Sequence, residues 1–222
     1  MKNAVVIDCC RTPIGRSNKD RGYFRDTRSD DLAVGVVRAL IERVGVDPAE
    51  IEDVVMGNTQ QQGEQGFDVA RTVALMSGIP SSSGAATINR LCGSSLQALN
   101  QGAHAIMAGF EDVQIVGGLE HMDHIPMDKD FNLNPKLLRE TSKGALQMGV
   151  TAEFLAQMNG ISRQRQDEFA LRSHQLAAAA HQAGEFDREV IPTTGRDELG
   201  IASSSPGINA FAPTPASKRW PR

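Results

Sequence analysis

The 222-residue sequence lacks the features that mark several classes of protein. No window approaches 18 consecutive apolar residues, so no membrane-spanning helix is predicted. The N-terminus reaches Asp8 after a short apolar run, too soon for a signal peptide, and we expect a cytoplasmic protein. Lys and Arg number 23 against 27 Asp and Glu. Without a basic excess, the composition argues against nucleic acid as a partner.

The sequence also contains few cysteines, namely Cys9, Cys10 and Cys92. Three thiols without a C-x-x-C spacing exclude a disulfide or zinc framework and fit a reducing compartment. The pair His121 and His124 lacks a third ligand at a defined offset, so a solvated loop tip is preferred to a metal site. Because nucleotide-binding glycine motifs are also absent, we expect no cofactor and no metal.

What the sequence does contain is an alternation of β-rich runs with stretches of helical period over its first 120 residues. This alternation predicts an α/β fold. Four strands are expected, near residues 4–7, 54–56, 85–88 and 113–116. The first is almost wholly apolar and is predicted to be buried on both faces. Between them we expect a helix capped by Ser29 and ended by Gly45, and another over residues 67–77.

The remainder divides into a long surface excursion, two helices and a tail. Helices are predicted over residues 151–158 and 163–183, the second capped by Ser162, with a short strand near 189–193. The buried side of the second helix is expected to carry Phe169, Ala170, Leu176, Ala177 and Ala180. The expected organisation is an α/β domain at 1–118, a loop region at 119–200 and a disordered tail at 201–222 that is unrelated in character to the rest of the chain.

Cys92 is the residue best placed for chemistry. It lies between the third predicted strand and a helix that continues to Ala108. A cysteine just before a helix gains from unpaired N–H groups and the positive dipole end, which favour thiolate over thiol. Gly93 permits close approach of a substrate, and the neighbouring N–H groups are candidates for oxyanion stabilisation. A buried structural cysteine is the competing interpretation, and Cys9 and Cys10 are interpreted as packing residues.

Five runs, in order and spacing, resemble those of thiolases. They are RTPIG at 11–15, NRLCGSS at 89–95, GGLEHM at 117–122, MGVTAE at 148–153 and ISRQRQD at 161–167. The resemblance covers residues 1 to about 200 and is strongest to bacterial 3-ketoacyl-CoA thiolases. It implies a thiolase-like layered α/β fold, of which this chain holds the N-terminal half, with a mixed sheet covered by helices and part of the family's loop domain.

The resemblance also implies a reaction and its residues. Cys92 corresponds to the nucleophile that attacks a 3-ketoacyl-CoA and carries the acyl group until a second CoA removes it. Met148 corresponds to a substrate-binding residue that packs on the acyl and pantetheine part. Coenzyme A is a substrate and not a cofactor. The implied setting is fatty-acid β-oxidation, and the implied partners are a second copy of the chain and the multifunctional β-oxidation subunit.

The chain also departs from the family. It contains no Gly-His-Pro run and no cysteine after Cys92, whereas the family uses both a histidine and a second cysteine from its C-terminal half. Gln147 stands where some biosynthetic thiolases have a histidine. Two alternatives therefore stay open beside the 3-ketoacyl-CoA thiolase: a biosynthetic acetoacetyl-CoA thiolase and a catalytically inactive truncated fragment.

Overall fold

The computed structural model describes residues 2–130, 132–197 and 201–203, which fall into two compact units. The first unit comprises the described residues up to Met127 together with those from Phe186 onward. The second comprises the described residues between Asp128 and Glu185. The boundaries between the units thus lie after residues 127 and 185, whereas the sequence predicts boundaries after residues 118 and 200. The described residues after 185 return to the first unit.

A three-stranded parallel sheet forms the centre of the first unit. Its strands are β1 (Asp53–Gly57), β2 (Gly84–Ile88) and β3 (Gln114–Gly118), in the order β2-β1-β3. The register pairs Val55 of β1 with Ala86 on one side and Val116 on the other. Three of the four predicted strands are therefore confirmed. The resemblance implies a mixed sheet, and the three described strands all run in one direction.

Three helices accompany this sheet: α1 (Ser29–Val44), α2 (Val69–Met76) and α3 (Ser94–Ala108). Gly45 ends α1 as predicted, with a left-handed φ of 70° and its N–H donating to the carbonyl of Ile41 at 2.9 Å. The predicted cap is wrong by one residue: Arg28 occupies the N-cap position, and Ser29 begins the helix with a hydroxyl that makes no hydrogen bond.

The core lies where α1 and α2 cover β1. Its members are buried aliphatic side chains, among them Ala33, Val34, Val37, Ile51, Val54, Met56, Val69, Ala70, Val73, Ala74, Ile79 and Ile115. β1 has buried residues from Val54 to Gly57, as a central parallel strand with both faces covered should. Burying each Val, Ile or Met side chain of this set contributes about 1.5–3 kcal/mol, so this cluster is the main source of stability in the first unit.

The predicted first strand is wrong. Residues 4–7 form no strand, and Val5, Val6 and Ile7 are 75%, 71% and 74% exposed. The apolar pattern suits a buried strand, but a strand exists only through hydrogen bonds to a neighbour. No described residue pairs with this segment.

The second unit is helical, with α4 (Leu137–Glu140), α5 (Met148–Met158) and α6 (Arg163–Gln182). Ser162 caps α6 as predicted, accepting a hydrogen bond from the backbone N–H of Arg165. The predicted burial of one face of α6 is wrong, since Phe169 is 72% and Leu176 58% exposed. Helical spacing shows which residues share a face but not whether another element covers that face.

Residues 186–197 and 201–203 rejoin the first unit through short β contacts. The predicted strand at 189–193 appears as a single bridge between Arg11 and Val190, and Arg11 also pairs with Glu189 at 2.8 Å. The two-residue strands β4 (Gly195–Arg196) and β5 (Ala202–Ser203) then pair antiparallel. The predicted disordered tail thus includes residues 201–203, which are paired, and otherwise lies outside the described residues.

We expect the chain alone to self-associate, because exposed apolar residues such as Val5, Val6 and Ile7 are contiguous. Size-exclusion chromatography with light scattering should give a mass that rises with protein concentration above 23.9 kDa. Val6→Lys should reduce this association, because it places a charge on the apolar run.

Asn3→Lys is the matched control, because it adds the same charge at an exposed position outside the apolar run. It should change the association much less than Val6→Lys. A monodisperse monomer with a sharp thermal transition would contradict the prediction.

Candidate functional site

Cys92 lies in the turn that joins the end of β2 to the start of α3. β2 ends at Ile88 and α3 begins at Ser94 with Gly93 as its N-cap residue. The Cys92 thiol is free and the residue is exposed. The competing interpretation of a buried structural cysteine is therefore wrong, and the thiol is accessible to a substrate.

Side chains of two neighbouring residues hold this turn. The Asn89 carboxamide oxygen accepts from the Leu91 N–H at 2.9 Å. The Ser94 hydroxyl accepts from the Arg90 N–H at 2.8 Å and donates to the Leu91 carbonyl at 2.5 Å. Leu91 has a φ of 48°, a strained conformation for a residue with a side chain. Such strain persists only where surrounding contacts fix the backbone, and these hydrogen bonds do so immediately before Cys92.

The start of α3, two residues after Cys92, presents two unpaired backbone donors. The N–H groups of Gly93 and Ser94 donate within the turn to the carbonyls of Arg90 and Leu91. In the described part of the chain, the N–H groups of Ser95 and Leu96 have no acceptor. These two groups, with the helix dipole, favour negative charge near Cys92. Among the neighbouring N–H groups named as candidates for oxyanion stabilisation, those of Ser95 and Leu96 are therefore the ones without an acceptor in the turn.

Two glycines allow α3 to sit directly on the carboxyl ends of the strands. A Cβ atom on Gly57 would clash with the backbone of Ser94 and Ser95. A Cβ atom on Gly118 would clash with the hydroxyl of Ser95. The helix N-terminus is therefore held at the sheet edge where ligands bind in parallel α/β folds.

A hydrogen-bonded chain extends from this turn to the segments that follow β1 and β3. The Asn89 amide donates to the Thr59 carbonyl at 2.8 Å, and the Thr59 N–H donates to Glu120 at 2.8 Å. Gln65 donates to the other Glu120 oxygen at 2.7 Å and accepts from the His121 N–H at 2.6 Å. The cysteine turn is thereby tied to all three strand ends.

The two histidines after Glu120 form a packed pair, and the predicted solvated loop tip is wrong, since His121 is buried. Their rings stack with centroids 3.9 Å apart. His121 Nε2 lies 3.0 Å from the Phe24 carbonyl, and His124 Nε2 lies 2.8 Å from the Arg25 carbonyl. His124 Nδ1 lies 2.9 Å from a carboxylate oxygen of Glu64. No cluster of three or more His, Cys, Asp or Glu suited to a metal ion occurs among the described residues.

The contacts of His124 favour its charged form, since both ring nitrogens face acceptors and only the imidazolium can donate from both. Burial lowers the pKa of His124, but the bonds to Arg25 and Glu64 outweigh it, so this pKa is raised. Burial raises the pKa of Glu64, but hydrogen bonds from the Ser29 N–H and His124 more than offset it, so this pKa is lowered. Glu64 also places its negative charge at the N-terminus of α1.

The other two thiols have different surroundings. The Cys10 thiol donates weakly to the Val36 carbonyl at 3.5 Å. Burial is the largest cause and raises the pKa of Cys10; Arg43 lowers it and Asp8 and Cys9 raise it, and the net result is a raised pKa. Cys9 is exposed, contrary to its interpretation as a packing residue. Neither thiol precedes a helix.

Met148 begins α5 in the second unit and is 81% exposed. Cys92 and Met148 thus belong to different units, and the role of Met148 in substrate binding stays a prediction. No helix in the described part of the chain is long and apolar enough to span a membrane.

The sequence interpretation missed Asn89, Ser94 and Glu120 as residues that position the cysteine turn. Asn89 and Ser94 stand within the run that contains Cys92, so their proximity was a usable signal. Glu64 had no local signal, because its partner His124 lies 60 residues away.

The fold and site together define a class: a parallel α/β protein with an accessible cysteine between a strand and a helix N-terminus. Comparison with known proteins narrows this to one family. Residues 4–204 match the family described as "Thiolase, N-terminal domain", and the chain belongs to the thiolase family.

Curated relatives agree with this membership. The chain is 51% identical over 202 residues to a protein from Serratia proteamaculans (strain 568) named 3-ketoacyl-CoA thiolase, covering 90% of this chain and 52% of the relative. It is 50% identical over 196 residues to a protein of the same name from Vibrio vulnificus (strain CMCP6), covering 88% and 50%. The chain therefore spans about half the length of these relatives.

We expect Cys92 to be the most reactive of the three thiols. Exposure alone does not separate it from Cys9, but only Cys92 lies beside unpaired N–H groups at a helix N-terminus. Iodoacetamide labelling at pH 7, followed by peptide mass analysis, should show modification about tenfold faster at Cys92. Cys92→Ser is the matched control and should remove only the fast phase. Faster labelling of Cys9 or Cys10 in folded protein would refute the assignment.

The Glu64 and His124 pair should make stability depend on pH. Because folding raises the pKa of His124, protonated His124 increases the free energy of unfolding. This stabilisation is complete below about pH 6.5 and is lost as the pH rises through the pKa of His124 in the folded protein. Because folding lowers the pKa of Glu64, ionised Glu64 also increases the free energy of unfolding. This stabilisation is complete above about pH 4.3 and is lost as the pH falls through the pKa of Glu64 in the folded protein. Both are complete between these limits.

Thermal melting at pH 5.5 and pH 8.5 tests this prediction. Glu64→Gln should lower the free energy of unfolding by about 1–3 kcal/mol at pH 5.5 and by less at pH 8.5. The hydrogen bond between Glu64 and His124 joins two charged groups only at the lower pH. Glu50→Gln, at an exposed position distant in sequence, is a control for the loss of one carboxylate. An equal cost of Glu64→Gln at both pH values would contradict the assignment.

Proposed function

We propose that this chain supplies the nucleophilic half of a thiolase that cleaves 3-ketoacyl-CoA with CoA. The observation that carries the proposal is the exposed Cys92 thiol, which lies in a turn held by side-chain hydrogen bonds at the N-terminus of α3. The name printed for the relatives, 3-ketoacyl-CoA thiolase, supports the substrate class. A thiolate in this position suits covalent transfer of an acyl group.

The proposed reaction has two steps. The Cys92 thiolate attacks the 3-keto carbon, the bond between C2 and C3 breaks, and acetyl-CoA leaves after its C2 carbanion takes a proton. The shortened acyl group stays on sulfur as a thioester. A second CoA, deprotonated by a base, attacks that thioester, releases the shortened acyl-CoA and restores the thiolate. The N–H groups of Ser95 and Leu96, which have no acceptor in the turn, are proposed to stabilise the negative charge that develops during these steps.

The acid and base for these steps are proposed to come from outside this sequence. The 222 residues contain no cysteine after Cys92 and no Gly-His-Pro run. The relatives are about twice as long as the region that this chain matches, so the acid and the base can lie in their other half. The same fact favours the second candidate function, a fragment that is inactive by itself.

Substrate selectivity is proposed to reside in the second unit and in the few residues of the first unit that lead into it. Met148, exposed at the start of α5, is proposed to contact the acyl and pantetheine part of the substrate. The segment 125–146 is proposed to distinguish long 3-ketoacyl chains from acetoacetyl-CoA, the substrate of the biosynthetic alternative. Turnover of substrates with 4 to about 16 acyl carbons would separate the two.

The setting is proposed to be fatty-acid β-oxidation in the cytoplasm. Sparse free thiols support a reducing compartment. The proposed assembly is a homodimer that joins the multifunctional β-oxidation subunit. β2 supports the homodimer, because it is an edge strand of the described sheet and can pair with a second copy.

We expect no detectable thiolysis by the 222-residue chain, and turnover when it is joined to the C-terminal half of the Serratia relative. General acid–base groups contribute about 10²–10⁴-fold each, so the absence of both abolishes measurable cleavage. Loss of the 3-keto-thioester absorbance measures the rate for both proteins. Cys92→Ala should abolish the turnover of the joined protein, while Cys9→Ala should leave it within about twofold.

Two outcomes would overturn this assignment. Robust turnover by the 222-residue chain would show that the missing acid and base are not needed. Activity that survives Cys92→Ala would exclude Cys92 as the nucleophile.

A further inference from the structure

His121 and His124 stack on each other in the post-β3 loop (residues 119–127), and the proposed reaction uses neither of them. We propose that His124 is a positioning residue whose imidazolium fixes this loop and thereby the cysteine turn (residues 89–94), and whose deprotonation loosens both. This role rests on the proposed function, in which Cys92 is the nucleophile, because a residue that fixes the turn then fixes the attacking thiol.

The hydrogen bonds of the stack place one positive charge in it, on His124. His121 Nδ1 accepts the His124 backbone N–H at 3.4 Å, so the His121 ring is neutral and donates only from Nε2, to the Phe24 carbonyl at 3.0 Å. His124 faces an acceptor at each ring nitrogen, the Arg25 carbonyl at 2.8 Å and Glu64 at 2.9 Å. A neutral His124 has one ring hydrogen and would direct a lone pair at one of these oxygens. Deprotonation of His124 therefore breaks one of the two contacts.

The charges around this pair favour the imidazolium. Other titratable groups that face His124 and Glu64 are His121, Asp123, Arg28 and Asp30. Burial lowers the pKa of His124, but the bond to the Arg25 carbonyl, Glu64 and Asp123 more than offset it, so this pKa is raised. The Arg28 guanidinium lies 3.9 Å from Glu64 but is already bonded to Asp30 at 2.7 Å. It is therefore poorly placed to replace the imidazolium as the partner of Glu64.

The two acceptors of His124 are themselves fixed by other parts of the first unit. The carboxylate of Glu64 accepts the Ser29 N–H at the start of α1 at 2.7 Å. The segment that carries the carbonyl acceptors is held by Tyr23, whose own carbonyl accepts the Arg196 N–H at 2.8 Å. The post-β3 loop, by contrast, contains no helix or strand. When a contact of His124 is lost, the loop is therefore the part that shifts.

Glu120, in the same loop, links the stack to the cysteine turn. Gln65 accepts the His121 N–H at 2.6 Å and donates to one Glu120 oxygen at 2.7 Å. The other Glu120 oxygen accepts the N–H of Thr59, whose carbonyl holds the Asn89 side chain at 2.8 Å. The left-handed backbone just before the thiol persists only while such bonds fix it. A shift of the loop therefore loosens the turn that holds the thiol beside the N-terminus of α3.

The rate of Cys92 alkylation by iodoacetamide, measured on the 222-residue chain at pH 5.5 and pH 8.5, tests this role. At pH 5.5, His124→Gln should slow the labelling at least about fivefold, because the neutral side chain cannot hold the loop and the thiolate loses its fixed position at the helix. At pH 8.5, where wild-type His124 has itself lost its proton, the two proteins should label within about twofold of each other.

His104→Gln is the matched control, because it removes an exposed histidine from α3 by the same substitution. It should label like the wild type at both pH values. A purely structural contribution of His124 would slow the labelling by the same factor at both pH values, and that result would overturn the proposal.

Amide hydrogen exchange of the wild-type chain gives a readout that does not depend on how a variant folds. The N–H groups of Thr59 and Leu91 bond to Glu120 and Asn89. Between pH 5.5 and pH 8.5, after correction for intrinsic exchange rates, they should lose at least about fivefold more protection than the amides of β1. An equal change at the turn and in β1 would overturn the proposal.

The two measurements separate this inference from the proposed function. Cys92 labelling that is no faster than that of Cys9 at both pH values would overturn the assignment of the nucleophile, and the exchange of the turn amides would then still decide the role of His124. Fast labelling of Cys92 with the same effect of His124→Gln at both pH values would leave the nucleophile in place and overturn only the role of His124.

Discussion

A parallel strand is stable only when hydrogen-bonded neighbours and apolar layers surround it, and β1 is the strand that meets this requirement. β2 and β3 pair with it on both sides, and its buried residues contact the core beneath α1 and α2. The other elements of the first unit take their positions from this strand. Gly57 at its carboxyl end admits the start of α3, and Asn58 and Thr59 just beyond it bond to the segments that follow β3 and β2.

The cysteine turn shows how a strained backbone is maintained by its surroundings. Leu91 adopts a left-handed conformation that costs of order 1–3 kcal/mol. Asn89 and the buried Ser94 offset this cost through three hydrogen bonds, and Asn89 is itself held by Thr59. Thr59 in turn bonds to Glu120, which Gln65 fixes. The position of the thiol is therefore set by residues from three separate loops.

The sequence predicted those elements that depend on local pattern. Apolar runs at 54–56 and 85–88 are strands, Gly45 ends α1, and Ser162 caps α6, because each signal acts within a few residues. The position of Cys92 before α3 was predicted for the same reason. Failures occurred where a distant partner decides the outcome. Residues 4–7 have the composition of a buried strand and no described neighbour, and the pairing of Glu64 with His124 joins residues 60 apart. The pattern of a segment does not reveal whether its partner is present.

The described residues that follow residue 185 return to the first unit, so the second unit is an insertion whose two ends both join the first unit. Gln60 bonds to the Met127 carbonyl at one end, and at the other the Arg11 guanidinium lies 5.3 Å from the Phe186 ring. Since loop-closure entropy grows only slowly with length, an insertion tethered in this way can lengthen, shorten or change in sequence at little thermodynamic cost to the unit that carries it. The inserted helices can therefore change in length and sequence without altering the hydrogen bonds that hold the cysteine turn in the first unit.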